Sequence, residues 1–352
     1  MTTTTESLPA AWIALEDRES PWNVLAEGMG IMGAGQGGTV DHLLTAEEVL
    51  KATNLDIHIK KYPFYIDTNF HSNKPTFLRT EKWYITGYEP PTGDLVTFAP
   101  VSDKYEVVQP VEALSVFDEV VGGLPGAWYS AAFNLPEKSM MGVVIQMPEK
   151  LVVDPQGAND VISLNLLGIN SFDGSTSLMG RPMPERLYCT NQVPALRRHV
   201  RSNGFCLKHN KNVKARAADA RRMIAATQDY FKTWGELAQG LFEKPMTDDQ
   251  FMRFIKKLDE FALDGSESDL QKARIEERRT EIFQAWKAEH NANISGTRWG
   301  ALNVVTEFAQ WGRRVNGSPR TGTDKRRQRA IGTLVHPTVD GLGRNALEIL
   351  AA

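Results

Sequence analysis

The order of two patterns along the chain constrains its fold more than any other feature. From Asp56 to about Asn191 the sequence is a series of short β-branched and aromatic runs. They read DIHIKKYPFYI, KWYITGY, DLVTFAP and KYEVVQ, then AWYSAAF, MMGVVIQMP, DVISLNLLGIN and ERLYCTN, with Gly, Pro or Asp between them. Runs of this kind are strand signals. One helix interrupts the series. Pro110 opens PVEALSVFDEVVGG, glycine closes it, and Val111, Leu114, Phe117 and Val121 make one apolar stripe. An earlier short helix, LTAEEVLKATNL, has Thr45 as N-cap and Glu48 completing a capping box.

After Val193 the period changes to that of helices. NVKARAADARRMIAATQDYFKTWGELAQGLF reads as one long helix, and TDDQFMRFIKKLDEFA opens on a Thr247/Gln250 capping box. ESDLQKARIEERRTEIFQAWKAEH follows, with Ile275, Ile282, Phe283 and Trp286 as its buried stripe, and then TRWGALNVVTEFAQWGRRV. Strands first and helices after predict an α+β fold: a mainly antiparallel sheet with a packed helix, followed by a helical C-terminal region. The expected divisions are a disordered, Thr-rich N-terminus over 1–20 and a sheet region over 21–193. A helical region over 194–317 and a basic C-terminal tail with a short helix over 318–352 complete them.

With 352 residues, 41% of them hydrophobic, the chain is long enough for a large core. No apolar run of about 18 residues occurs, so no membrane span is expected. The start, MTTTTESLPAAW, lacks the basic beginning and apolar core of a secretory signal. Cys189 and Cys206 are the two cysteines, too few for a disulfide framework. A reducing, cytoplasmic location is the expectation.

The stretch GMGIMG, Gly28 to Gly33, fits the G-x-G-x-x-G dinucleotide fingerprint in spacing. The fingerprint also needs a strand before it, a helix after it and an acid about 20 residues on. SPWNVLAE is a poor strand, glycine continues through Gly38, and Glu47 and Glu48 belong to the first turn of the short helix. A Walker loop fails as well, because no Lys-Ser or Lys-Thr pair follows. The stretch reads as a loop or arm, and no cofactor is expected.

Several motifs together resemble the phage/plasmid-like proteins carrying the domain of unknown function 932. They are SPWNVLAEGM, LTAEEVLKATNLDIHIKKYPFYI, KYEVVQPVEALSVFDEVV, NSFDGSTSL, ERLYCTNQVPAL, LKHNKNVKARAADAR and GTRWGALNVVTEF, spread from Pro21 to Gly317. The His-x-Leu-Gly continuation of the Pro-Trp segment is missing, and Leu-Tyr replaces Val-Val before Cys189. The order strand, helix and three strands over Tyr105 to Asn170 is also similar to the core of the Rad52-like single-strand annealing proteins. That second likeness implies rings or filaments that bind single-stranded DNA along a basic groove, without chemistry.

Charge distribution points the same way. Net charge is −3, yet RRHVRSNGFCLKHNKNVKARAADARR, Arg197 to Arg222, contains Asp219 as its single acid. A second basic run spans Arg313 to Arg329. Arg197, Arg198, Arg201, Lys208, Lys211, Lys214 and Arg216 form a stripe suited to a phosphate backbone. The plain alternative is a solvated basic surface. Phe205 and Tyr188 in sequence, and Trp128 and Tyr129 through the fold, are the aromatic side chains considered for base stacking.

Other constellations are weaker. Asp173-Gly174-Ser175 reads as a hairpin turn, with a metal or phosphate site as the alternative. Cys189, His199, Cys206 and His209 lack a second close pair for zinc, so no metal is assigned. No signature joins a nucleophile to a histidine and a carboxylate. Trp299, Asn303 and Thr306 share one helix face, with Glu307 beside them, and read as the contact that docks helices onto the sheet.

The expected function is therefore a non-enzymatic phage or plasmid protein of DNA metabolism. It would bind single-stranded DNA as a homo-oligomer, ring or filament, and promote annealing or recombination. The alternatives are an interaction protein that inhibits a host defence or other host factor, and a metal-dependent enzyme built around Asp173 or the Cys/His set.

Overall fold

The computed structural model describes residues 45–69, 76–91, 93–135, 139–186, 191–192, 205–209, 219–260, 263, 265–312, 328–330, 332–333 and 337–352. It opens on helix α1 (Ala46–Ala52), whose N-cap Thr45 and Glu48 form the expected capping box. A three-stranded antiparallel sheet follows, in the order β1 (Lys60–Asp67), β2 (Phe77–Tyr88), β3 (Val96–Ser102). Pro63 is tolerated in β1 because that strand is an edge. Opposite Phe64, β2 carries the extra residues Thr80 to Trp83, a bulge that the Thr80 hydroxyl spans, 2.9 Å from Phe64 O and 2.8 Å from Trp83 O.

KYEVVQ does not form the expected strand. Residues 105–109 lie outside both sheets, and side chains and distant backbone take up polar groups there. The Gln109 side-chain amide accepts from Ile59 N at 2.9 Å and donates to Ile59 O at 2.8 Å. Lys61 Nζ donates to the Tyr105 carbonyl at 2.8 Å, and Glu106 N donates to His209 O at 3.2 Å. Helix α2 (Pro110–Gly123) then begins, with Gln109 and Glu112 forming its capping box. Leu114 and Phe117 are fully buried, whereas Val111 is 57% exposed, so the buried stripe starts one turn later than the pattern suggests.

The second sheet has the order β4 (Trp128–Leu135), β5 (Met140–Val153), β6 (Asp160–Ser171), β7 (Leu178–Arg186), β8 (Asn191–Gln192), and β9 (Phe205–Leu207) also pairs with β7. All its pairs are antiparallel. β6 is covered on both faces, which explains its nearly unbroken apolar run. On one face Met141, Val143, Ile145, Leu164 and Leu166 join the main core; on the other Phe133, Val144, Leu167 and Ile169 pack with Ala330. The Phe117 ring of α2 lies where a Cβ on Gly168 would stand, 2.5 Å from it, so helix and sheet meet at a glycine.

β7 is centred upstream of ERLYCTN, on LMGRPMPER, where Pro182 and Pro184 argue against a strand. Residues two apart direct their N–H to the same edge. Here that edge is the stretch between the β8 and β9 pairings, where no described strand needs a donor.

Helices α3 (Asp219–Phe242), α4 (Asp248–Asp259), α5 (Asp269–Lys287), α6 (Arg298–Glu307) and α7 (Pro337–Ala351) make up the C-terminal region. The expected start of the long helix, before Asp219, lies outside the described residues. Thr247 and Gln250 form the expected capping box on α4. Phe251 of α4 stacks on Trp286 of α5 at 4.4 Å and 9°, and Asp248 accepts from Trp286 Nε1 at 2.9 Å. The C-terminal helix docks against α6, and its Ala346, Leu347 and Leu350 join the same cluster that contains Val49 of α1. Among the described residues no helix is long and apolar enough to cross a membrane.

Candidate functional site

Of the seven cationic residues in the expected phosphate stripe, Lys208 is described; it is exposed and directly follows β9. Arg197, Arg198, Arg201, Lys211, Lys214 and Arg216 lie outside the described residues, as do Tyr188, Cys189, His199, the Gly28–Gly33 loop and residues 1–20. Tyr129 is 4% exposed and its hydroxyl donates to Asp118 Oδ1 of α2 at 2.7 Å. Burial and that carboxylate push the phenol's pKa up. Tyr129 is a core residue, not a stacking platform. Trp128 is half-buried.

Two polar clusters emerge, each assembled from segments far apart in sequence. The first gathers Tyr105, the Asp173 turn and His209. Asp173-Gly174-Ser175 is the turn joining β6 to β7: Asp173 Oδ1 accepts from Ser175 N at 2.8 Å, and Gly174 has φ +75°. Ser171 Oγ ties the turn further, donating to Thr176 O at 2.7 Å. Tyr105 packs against this turn, its hydroxyl 3.2 Å from Ser171 O and 2.6 Å from His209 Nδ1. Burial pushes the His209 imidazole down to about 4, against the upward pull of Asp173. A protonated ring would bury an N–H at Nε2, for which the described residues offer no acceptor. The same burial, reinforced by Asp173, raises Tyr105. The pair is thus neutral at pH 7.

The second cluster lies where β6 and β7 meet the helices and is buried except at Asn293. Arg186, at the end of β7, and Asp160, at the start of β6, form an ion pair at 2.7 Å with both side chains at 0% exposure. Trp299 Nε1 donates to the other Asp160 oxygen at 2.8 Å. The Arg186 guanidinium also donates to Asn291 Oδ1 at 2.9 Å and Asn293 Oδ1 at 3.0 Å. Asn291 Nδ2 donates to Glu307 Oε2 at 2.9 Å, and Glu307 Oε1 lies 2.8 Å from His290 Nε2. Buried charges need this degree of pairing to persist. Gly300 allows the approach: a Cβ there would stand 2.3 Å from the Ile294 carbonyl oxygen, in the 3₁₀ turn that supplies His290, Asn291 and Asn293.

Of the helix-face constellation, Trp299 and Glu307 therefore reach this network. Asn303 and Thr306 bond within their own helix, to Trp299 O and Asn303 O, both at 2.9 Å. Asp160, Arg186, His290, Asn291 and Asn293 were missed as a group by sequence reasoning. Arg186 and Asn291 are 105 positions apart, Asp160 and Trp299 139, and no local pattern links residues at such separations. The one available signal was that Arg186 and the Trp299–Glu307 helix each stood in a motif of the family resemblance.

An open groove of about 420 Å³ runs between the end of α2, the bulged part of β5 and α3, lined by Leu124, Met147, Pro148, Leu151 and Phe231, with Lys150 and Lys232 at hand. Among the described residues no group of three or more His, Cys, Asp or Glu could hold a metal ion. Cys206 is exposed on β9 as a free thiol.

Taken together, the molecule is an α+β protein whose antiparallel sheet is fastened to a helical region by a buried ion-pair network. The chain belongs to the family described as Domain of unknown function (DUF932), which matches residues 97–332. No curated protein and no solved structure matches the chain. The family span includes both polar clusters and begins after the β1–β2 hairpin.

Proposed function

We propose that the protein is a non-catalytic nucleic-acid-binding protein that takes single-stranded DNA along the Arg197–Arg216 stripe, assembles as an oligomer and brings strands together. The observation that carries the reading is the charge pattern, with Asp219 the single acid from Arg197 to Arg222. β8 and β9, which flank residues 193–204, both pair with β7, at Glu185–Arg186 and at Leu178–Gly180 respectively. The described strands before and after the run that contains Arg197, Arg198 and Arg201 thus both pair with β7. Lys208 stands exposed just beyond β9.

Cationic side chains that recur along a short stretch of chain are suited to following a phosphate backbone. The likeness to the single-strand annealing proteins rests on an order of strand, helix and three strands over Tyr105 to Asn170; α2, β4, β5 and β6 follow that order, while its first strand, at KYEVVQ, is not formed. The resemblance to phage/plasmid-like proteins makes DNA metabolism the natural setting.

The test is fluorescence anisotropy of a labelled oligonucleotide with the full chain at rising salt. Binding that weakens steeply with salt is expected, with a slope of roughly 0.7 per phosphate contact for a single strand. The triple variant Arg197→Glu, Arg201→Glu, Lys208→Glu should lose most of the affinity and flatten that slope. No binding by the purified protein at low salt overturns the proposal.

A further inference from the structure

The three-stranded sheet leaves an unusual set of large apolar side chains in solvent, concentrated at the far end of the β1–β2 hairpin. Tyr65 is 51% exposed, Ile66 44%, Phe77 64% and Leu78 60%. Strand register sorts them onto two faces. Tyr65 is opposite Arg79, and Asp67 is opposite Phe77, while Ile66 is opposite Leu78. Direct partners in an antiparallel pair point to the same side, and residues two apart along a strand do so as well. Tyr65, Phe77 and Arg79 therefore share one face, and Ile66 and Leu78 the other.

The two faces differ in chemistry. One is aliphatic. The other sets an exposed guanidinium between two exposed rings, and Asp67 on that face is occupied in the turn, accepting from Asn69 N at 2.9 Å and Thr76 N at 3.1 Å. Nearer the body this face is closed: Lys61 Nζ lies 5.3 Å from the centre of the Tyr84 ring and donates to Asp103 O and Tyr105 O at 2.9 and 2.8 Å. The open part is thus a small platform with two stacking surfaces and one cation. In the adjoining bulge Glu81 and Lys82 are both exposed and offset one another in charge, so Arg79 is the cation of the platform.

We propose that this Tyr65–Arg79–Phe77 face is a base-stacking platform for single-stranded nucleic acid. Unpaired bases would stack on the two rings, and a phosphate would take the guanidinium. The inference rests on the single-strand reading above and adds to it a second element, in the hairpin that precedes the family span. A flat, sequence-tolerant ring contact flanked by positive charge is what single-strand binding requires. A protein partner would find its better surface on the aliphatic face.

The experiment compares a labelled thymidine oligonucleotide with an all-abasic strand of equal length, using the full chain. Tyr65→Ala with Phe77→Ala should weaken binding to the thymidine strand about ten- to a hundredfold, the range expected for losing one or two stacked bases. It should leave affinity for the abasic strand and the salt slope unchanged. Tyr65→Leu with Phe77→Leu keeps apolar bulk without rings and should show the same loss. Ile66→Ser with Leu78→Ser, on the opposite face, should bind both strands like the parent.

If the parent binds neither strand, the single-strand reading itself falls. If the parent binds and the ring variants bind equally well, the platform alone is overturned. Equal loss on both strands, or full retention by the leucine variant, also overturns it. So does a changed sedimentation coefficient of the free protein with unchanged oligonucleotide affinity, which would make this face a contact between copies of the chain.

Discussion

The two sheets are built from similar runs of β-branched and aromatic residues, yet they end in opposite environments. The large sheet carries α2 and the C-terminal helices on one face and a smaller apolar cluster on the other, so β6 is buried along nearly its whole length. The small sheet is joined to the body at one end, where Phe98 lies 5.6 Å from the Phe172 ring and Val101 is 4% exposed. Its far end is open on both faces. An apolar side chain in a strand therefore says that a surface is available for packing, and the neighbours decide whether anything packs there. In the large sheet the apolar residues build the core; in the hairpin they stay in solvent.

That contrast is sharpest at the buried ion pair. Arg186→Ala would leave Asp160 charged, buried and stripped of its main partner, so a loss of about 3–5 kcal/mol in unfolding free energy is expected by urea denaturation. A loss below about 1 kcal/mol would show that the helices do not depend on this network for their attachment to the sheet.

His209 gives a smaller effect with a defined sign. Its folded pKa of about 4 lies below the ordinary value of 6.5, so between these limits the unfolded chain binds the proton that the folded one refuses. Its stabilising contribution is present above about pH 6.5 and is lost as pH falls toward 4, on the order of 3 kcal/mol in all. The difference in stability between the parent and His209→Phe, measured from pH 7 to pH 4, should shrink in step. A constant difference would mean that His209 titrates normally. At the other extreme, Leu78→Ser in the hairpin should change stability by no more than about 0.5 kcal/mol, because its side chain is 60% exposed. A loss of 2 kcal/mol there would erase the distinction between the two sheets.

Much of the fold was legible in sequence because it is local. Thr45 with Glu48 and Thr247 with Gln250 announced helix starts that the structure carries. Asp173-Gly174-Ser175 announced the turn between β6 and β7. One local signal misled, and one strand gave no signal. KYEVVQ has strand composition, but its backbone groups go to Lys61, His209 and Asn170 rather than to a ladder. LMGRPMPER contains two prolines, and it is still a strand because both face an edge where a donor is not needed.

The composition and periodicity of this chain determined by themselves that an antiparallel sheet with a packed helix precedes a helical region, since strand, turn and cap preferences act over a few residues. Tertiary structure alone decided which polar residues meet and which apolar ones stay in water. Arg186 finds Asp160, Asn291 and Asn293, and Tyr105 finds His209, only after the chain has folded. Tyr65 and Phe77 remain exposed only because no described element covers the hairpin. Such pairings are set by desolvation and by packing between distant segments, for which no short stretch of sequence carries a sign.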